Sequence, residues 1–233
     1  ILILSSLVGG KTTDKIFSAL ASGALEALDK DFTQDGKIIN HKVDSFLHSV
    51  RTCSSIKVVR HSLMNIQNSL DSIRNTTNNA SISSNTSKKC KTENGVIGIV
   101  SSTGGPEALI KLVSSFPKDF SSPIFLVQHI ADGFTGGFVK WLDSYTQLTV
   151  KVAKHNDQIS AGHIYVGAVG THLEVKSNQR IELTEANASD IFKPSGDRLL
   201  SSIADSYGKN SLGIILTGMG RDGSTGLHDI YHK

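Results

Sequence analysis

Val96-Ile97-Gly98-Ile99-Val100-Ser101-Ser102-Thr103-Gly104-Gly105-Pro106-Glu107-Ala108-Leu109 reads as a buried strand, a glycine-rich turn and the start of a helix. A short β-branched run bounded by turn residues fits a strand covered on both faces. Pro106 and Glu107 fit a helix first turn, where a missing N–H costs nothing. Leu109, Leu112, Val113 and Phe116 then fall at helical spacing on one face. This order aims the Ser102 hydroxyl and the N–H groups of Thr103 to Gly105 into the space beyond the strand's carboxyl end. Open α/β sheets place their chemistry there.

Two later stretches repeat the arrangement. The apolar run Ile124-Phe125-Leu126-Val127 stops at Gln128-His129, and Leu212-Gly213-Ile214-Ile215-Leu216 stops at Thr217-Gly218-Met219-Gly220-Arg221-Asp222-Gly223. A serine, a histidine and an aspartate therefore each follow a buried strand. If the strands are parallel, the three side chains gather along one edge of the sheet. A serine hydroxyl becomes a good nucleophile when an imidazole takes its proton, and the imidazole needs a carboxylate to fix its tautomer. Ser102, His129 and Asp222 suit those roles in that order. Backbone N–H groups around Thr103 and in the Met219 loop are candidate oxyanion donors.

Each residue alone has a plainer explanation: Ser102 a turn residue, His129 a hydrogen-bonded core histidine, Asp222 a helix cap. Their joint order after three buried strands favours chemistry. The runs Ser102-Thr103-Gly104-Gly105-Pro106-Glu107-Ala108-Leu109, Gln128-His129 with Gly133-Phe134-Thr135, Pro194-Ser195 with Asp197, and Ile215-Leu216-Thr217-Gly218-Met219-Gly220 with Asp222-Gly223 resemble the chemotaxis protein-glutamate methylesterases, the CheB family. The resemblance covers roughly 96 to 227. It implies that Ser102 is the nucleophile, His129 the base and Asp222 the orienting acid of an esterase that hydrolyses glutamate methyl esters on chemoreceptors, and that also deamidates selected glutamines. It places Lys193 and Ser195 near the substrate cleft; Lys193 reads either as a contact for an acidic receptor surface or as a solvated lysine. His172 matches a histidine common in the family, and its role stays open. Two rival functions are a generic serine esterase or amidase, and a non-catalytic module whose Gly104-Gly105 turn binds an anion at a helix N-terminus.

The 233 residues suffice for one large domain or two modest ones. The net charge of +3 is small and scattered, so a nucleic-acid partner is not expected. The opening Ile1-Leu2-Ile3-Leu4 is too short for a membrane span or a signal-peptide core, which leaves no membrane insertion and a cytoplasmic setting as the expectation. Cys53 and Cys90, far apart in polar sequence, read as free thiols. No histidine pair in the esterase region has zinc-like spacing, so neither a metal nor another cofactor is expected.

From Val96 onward strands alternate with helical patterns. Phe134, Phe138, Trp141, Leu142 and Tyr145 form one apolar face, and Leu200, Ile203, Ala204 and Tyr207 another, with Ser195 as its N-cap. Between them, 148–153, 164–166 and 173–183 read as shorter strands. The expected class is α/β: a doubly wound, mostly parallel sheet with a smaller hairpin insertion. Before it, 1–4 and 24–28 read as strands alternating with helices, a β-α-β-α order similar to the C-terminal part of a response-regulator receiver domain. That similarity implies Ser5 as the hydroxyl switch residue, Lys30 as the phosphoryl-contacting lysine, and a chemotaxis histidine kinase as partner. The expected division is a receiver remnant over 1–56, a Ser-, Asn- and Lys-rich linker over 57–94, and the catalytic domain over 95–233. With no initiator methionine, and with the family's sequence continuing past Lys233, truncation at both ends is expected, leaving the phosphoacceptor aspartate outside the sequence. Residues 1–56 hold only half a receiver sheet. Expressed alone, they are expected to show no cooperative thermal transition by circular dichroism.

Overall fold

A computed structural model of the chain describes residues 1–5, 10–34, 37–55, 95–218 and 220–233. The expected linker, 57–94, which includes Cys90, lies outside the described residues.

The central sheet is built on β5 (Val96–Ser101), every residue of which is buried. It pairs in parallel with β6 (Ile124–Gln128) on one side and with β11 (Ser211–Ile215) on the other. β8 (His163–Val166) and β7 (Thr149–Val152) extend the sheet beyond β6, also in parallel. The order β11-β5-β6-β8-β7 makes β5 the strand from which the chain winds both ways. That topological switch leaves a crevice past the carboxyl ends of β5 and β6.

Alternation along β5 sends side chains to two cores. Ile97 and Ile99 join Ile124, Leu126 and Ile164 under α3 (Gly105–Val113) and α4 (Thr135–Asp143). Val96 and Val100 join Phe125, Val127 and Tyr165 under α5 (Gly196–Tyr207) and the antiparallel hairpin of β9 (Thr171–Lys176) and β10 (Arg180–Glu185). That hairpin forms its own two-stranded sheet. The last helix, α6 (Ser224–Tyr231), lies against α5, and Leu227 and Ile230 close the second core.

At the N-terminus, β1 (Leu2–Ser5) and β2 (Glu26–Asp29) pair in parallel around α1 (Gly10–Ala21), followed by a short hairpin of β3 (Thr33–Gln34) and β4 (Lys37–Ile38) and by α2 (Asn40–Ser55). The strand expected over 24–28 begins two residues later because the Ala24 N–H donates back to the Ala19 carbonyl (2.9 Å), completing the turn that ends α1. This segment packs onto the sheet's helical layer. The buried Phe17 ring lies 5.9 Å from Phe138 and 5.3 Å, stacked, from Trp141.

The close crossing of α5 and α6 needs a glycine. A Cβ on Gly226 would fall 2.6 Å from the Asp197 carbonyl oxygen and 2.9 Å from the Ser201 nitrogen, both backbone atoms that cannot step aside. Gly226→Ala is therefore expected to destabilise the fold by about 1–3 kcal/mol, measured as a lower urea midpoint with an unchanged slope.

Candidate active site

Ser101 and Gln128 are register partners at the ends of β5 and β6, so Ser102 and His129 follow on neighbouring strands. The His129 N–H donates to the Ser101 carbonyl (2.9 Å), and the Ser102 N–H donates across to the Thr217 carbonyl (2.8 Å). The loop after β11 is thereby drawn against the Ser102 turn. Gly218, with φ of 150°, permits the approach, because a Cβ there would sit 2.6 Å from that of Ser102.

That loop brings in Asp222. His129 Nε2 lies 2.9 Å from Asp222 Oδ2, with side-chain exposures of 18% and 4%. The carboxylate also accepts the Ser195 hydroxyl on Oδ1 (2.9 Å), the Asp197 N–H on Oδ1 (3.0 Å) and the Gly196 N–H on Oδ2. Its seat is the N-terminus of α5, where free N–H groups and the helix dipole favour an anion. Burial pushes the Asp222 carboxyl up, but the bonds from His129, Asp197, Gly196 and Ser195 outweigh it and hold the group below the usual aspartate range. With Nε2–H donated to the carboxylate, the ring's lone pair lies on Nδ1. The Phe192 ring stacks on the imidazole, with centroids 4.8 Å apart and planes 13° from parallel.

Ser102 and His129 line one cleft with Thr103, Gln128, Leu25 and Glu26. Among the described residues none is hydrogen-bonded to the Ser102 hydroxyl; in hydrolases without substrate that contact is commonly long and tightens on binding. The N-terminal segment reaches the same cleft. Gly104 N–H donates to the Leu25 carbonyl (3.1 Å), and the Thr103 hydroxyl donates to Glu26 Oε2 (3.3 Å). Burial raises the Glu26 carboxyl above its usual range, only partly offset by hydrogen bonds from Ser49 and Thr103 and by His48.

Other candidates fall in different places. Ser195 is the N-cap of α5 and touches Asp222 directly. Lys193 Nζ donates to the Ala188 carbonyl (3.3 Å) on an outer loop. Met219 lies outside the described residues. Ser5 and Lys30 come together at the ends of β1 and β2, where the Lys30 N–H donates to the Ser5 carbonyl (3.1 Å). Cys53 is a free, half-buried thiol. Among the described residues no three His, Cys, Asp or Glu side chains converge as a metal site requires, and no helix is long and apolar enough to cross a membrane.

Sequence reasoning missed Gln128 as more than a motif member. It is 2% exposed, accepts the Ser101 hydroxyl (2.6 Å), and donates from Nε2 to the carbonyls of both Ser102 and His129 (3.0 Å each). A buried carboxamide ending a strand beside two catalytic candidates was the available signal. Asp197 was missed too: its Oδ1 accepts the Thr225 and Gly226 N–H groups (2.8 and 3.0 Å) at the start of α6.

The family model described as CheB methylesterase matches residues 97–233. The chain belongs to the CheB methylesterase family. It is 36% identical over 219 residues to protein-glutamate methylesterase/protein-glutamine glutaminase 2 of Anaeromyxobacter dehalogenans strain 2CP-C, covering 92% of this chain and 58% of that protein. It is 42% identical over 138 residues to the protein-glutamate methylesterase FrzG of Myxococcus xanthus, covering 59% of this chain and 41% of that protein. The crystal structure of the Thermotoga maritima CheB methylesterase catalytic domain superposes with a TM-score of 0.57 at 34% identity, over 60% of this chain and 75% of that one. The chain thus spans about half the length of these curated relatives. Membership accounts for the mostly parallel α/β sheet.

Asp222 also links the site to stability. Its lowered folded pKa contributes stability that is full above the unfolded value of 3.8 and is lost as the pH falls through the folded value. The melting temperature of the wild type is expected to exceed that of Asp222→Asn at neutral pH, with the difference shrinking only below about pH 4.

Proposed function

We propose that the region 95–233 is a serine esterase acting on glutamate methyl esters of a chemoreceptor's cytoplasmic part. The observation that carries this is the part-buried Asp222–His129 pair beside Ser102, in a chain of the CheB methylesterase family. Ser102 Oγ attacks the ester carbonyl while His129 Nδ1 takes its proton. The Asp222 carboxylate stabilises the imidazolium through Nε2–H. The Thr103 N–H, one residue past the nucleophile and taken by no acceptor among the described residues, is the proposed oxyanion donor. Collapse of the tetrahedral intermediate expels methanol, which receives the imidazolium proton. Water, deprotonated by His129, then cleaves the acyl-enzyme to free the glutamate and Ser102. The same route with ammonia leaving deamidates glutamine, in keeping with the double name of the Anaeromyxobacter relative.

In this proposal residues 1–56 are a receiver remnant and 57–94 a linker to the catalytic domain, with Ser5 and Lys30 at the receiver's switch and a chemotaxis histidine kinase as its partner. The contacts of Leu25 and Glu26 with the nucleophile turn support a block that phosphorylation relieves. A cytoplasmic setting follows from the substrate, and Lys193 serves as a contact for an acidic receptor surface. The rival small-molecule esterase differs in being indifferent to chemoreceptor.

Methanol release from a methylated chemoreceptor fragment tests the proposal. Ser102→Ala is expected to lower kcat by a factor on the order of 10⁴–10⁶. Release surviving that change, or hydrolysis of small esters with none from receptor by the folded wild type, would overturn it.

A further inference from the structure

His172 is a buried histidine that the proposed reaction does not use. It stands on β9 with 1% exposure, yet both of its ring nitrogens are partnered. Nδ1 accepts the Ser195 N–H (3.2 Å), which puts the ring proton on Nε2, and Nε2 donates to Asp190 Oδ2 (2.9 Å). The bond from His172, joined by the Asn187 N–H (2.7 Å), holds the Asp190 carboxyl below the usual aspartate range. One imidazole therefore ties together positions 190 and 195 of the segment leading into α5.

What lies inside that tie gives it a consequence. Phe192 stacks on the His129 ring, and a Cβ on Gly220 would stand 3.4 Å from Phe192 Cζ, so the ring is wedged between the base and the Asp222 loop. Ser195 donates its hydroxyl to Asp222 and receives the Arg198 N–H as the N-cap of α5. A histidine serving only the core would spend its nitrogens on whatever polar groups lay nearby. Here both partners belong to the segment that carries Phe192 against His129 and Ser195 onto Asp222.

We propose that His172, with Asp190, is a positioning residue: it seats Ser195 and Phe192, and through them fixes the orientation of the His129–Asp222 pair. The proposal rests on the serine-esterase reading of the site. Misplacing a reacting group by an ångström costs up to about a hundredfold in rate, which sets the size of the effect to look for.

The test uses the full chain and two variants that keep opposite halves of the imidazole. His172→Asn keeps an acceptor where Nδ1 stood, whereas His172→Gln keeps a donor near Nε2 and gives up the acceptor. Three readouts apply: kcat and KM for methanol release, the rate at which a fluorophosphonate labels Ser102, and the low-field proton resonance of the His129–Asp222 hydrogen bond. His172→Gln is expected to lower kcat and labelling about tenfold to a hundredfold, with KM held and the resonance shifted. His172→Asn is expected to restore most of all three. Wild-type labelling and an unmoved resonance in both variants would overturn the proposal. So would equal losses in both with the resonance unmoved, which is the signature of packing alone. If the wild type itself goes unlabelled while the resonance responds as expected, the nucleophile assignment falls and the positioning of His129–Asp222 by His172 stands.

Discussion

The Asp222 carboxylate sits where two helix N-termini cross, and the arrangement around it is reciprocal. Asp222, just ahead of α6, accepts the first N–H groups of α5; Asp197, in the first turn of α5, accepts those of α6. Each acid satisfies donors that the other helix cannot bond internally. A buried carboxylate costs free energy unless it is fully hydrogen-bonded, and here the helix ends supply the bonds while the remaining oxygen capacity takes the His129 imidazole. The orientation of the His129 ring is thus a by-product of how two helices are capped. Gly226 makes the crossing close enough for this to work.

The sheet supplies the other half of the geometry. β5 and β6 end in register, and Gln128 joins the two carbonyls that follow them, so the backbones carrying Ser102 and His129 are tied together. β11 closes on the opposite side of β5 and delivers the Asp222 loop. Three residues from distant parts of the chain converge because one strand, β5, is flanked on both sides by parallel neighbours. Preorganisation of this kind costs nothing at the moment of reaction.

The N-terminal segment is held over the same crevice by an aromatic cluster around Phe17 and by two polar contacts at the Ser102 turn. Its Glu26 carboxyl is raised by burial, which the hydrogen bonds from Ser49 and Thr103 and the nearby His48 only partly offset. Ile16, Phe17 and Leu20 of the same segment are buried, so apolar packing and polar contacts act together there.

Much of this was legible from residue order. Unbroken apolar runs marked β5 and β6 as buried on both faces, since a strand covered on one side alternates. β11, expected to be buried in the same way, is instead an edge strand with Leu212 52% and Ile215 41% exposed, because β5 pairs with it on one side only. The serine, histidine and aspartate after them, and Ser195 as a cap, follow from local chemistry: turn residues and caps act within a few positions of themselves. Four other features depended on contacts between residues remote in sequence. These are Gln128 bridging two carbonyls, Asp197 capping a helix 28 positions on, His172 bonding the segment into α5, and Glu26 against Thr103. No periodicity encodes which distant donor a buried polar side chain will meet. By itself the sequence determined which elements form and which side chains stand at their ends; the packing of α5 on α6 and of the N-terminal segment on the sheet decided their partners, because a hydrogen bond needs atoms within about 3 Å and only the folded chain brings them there.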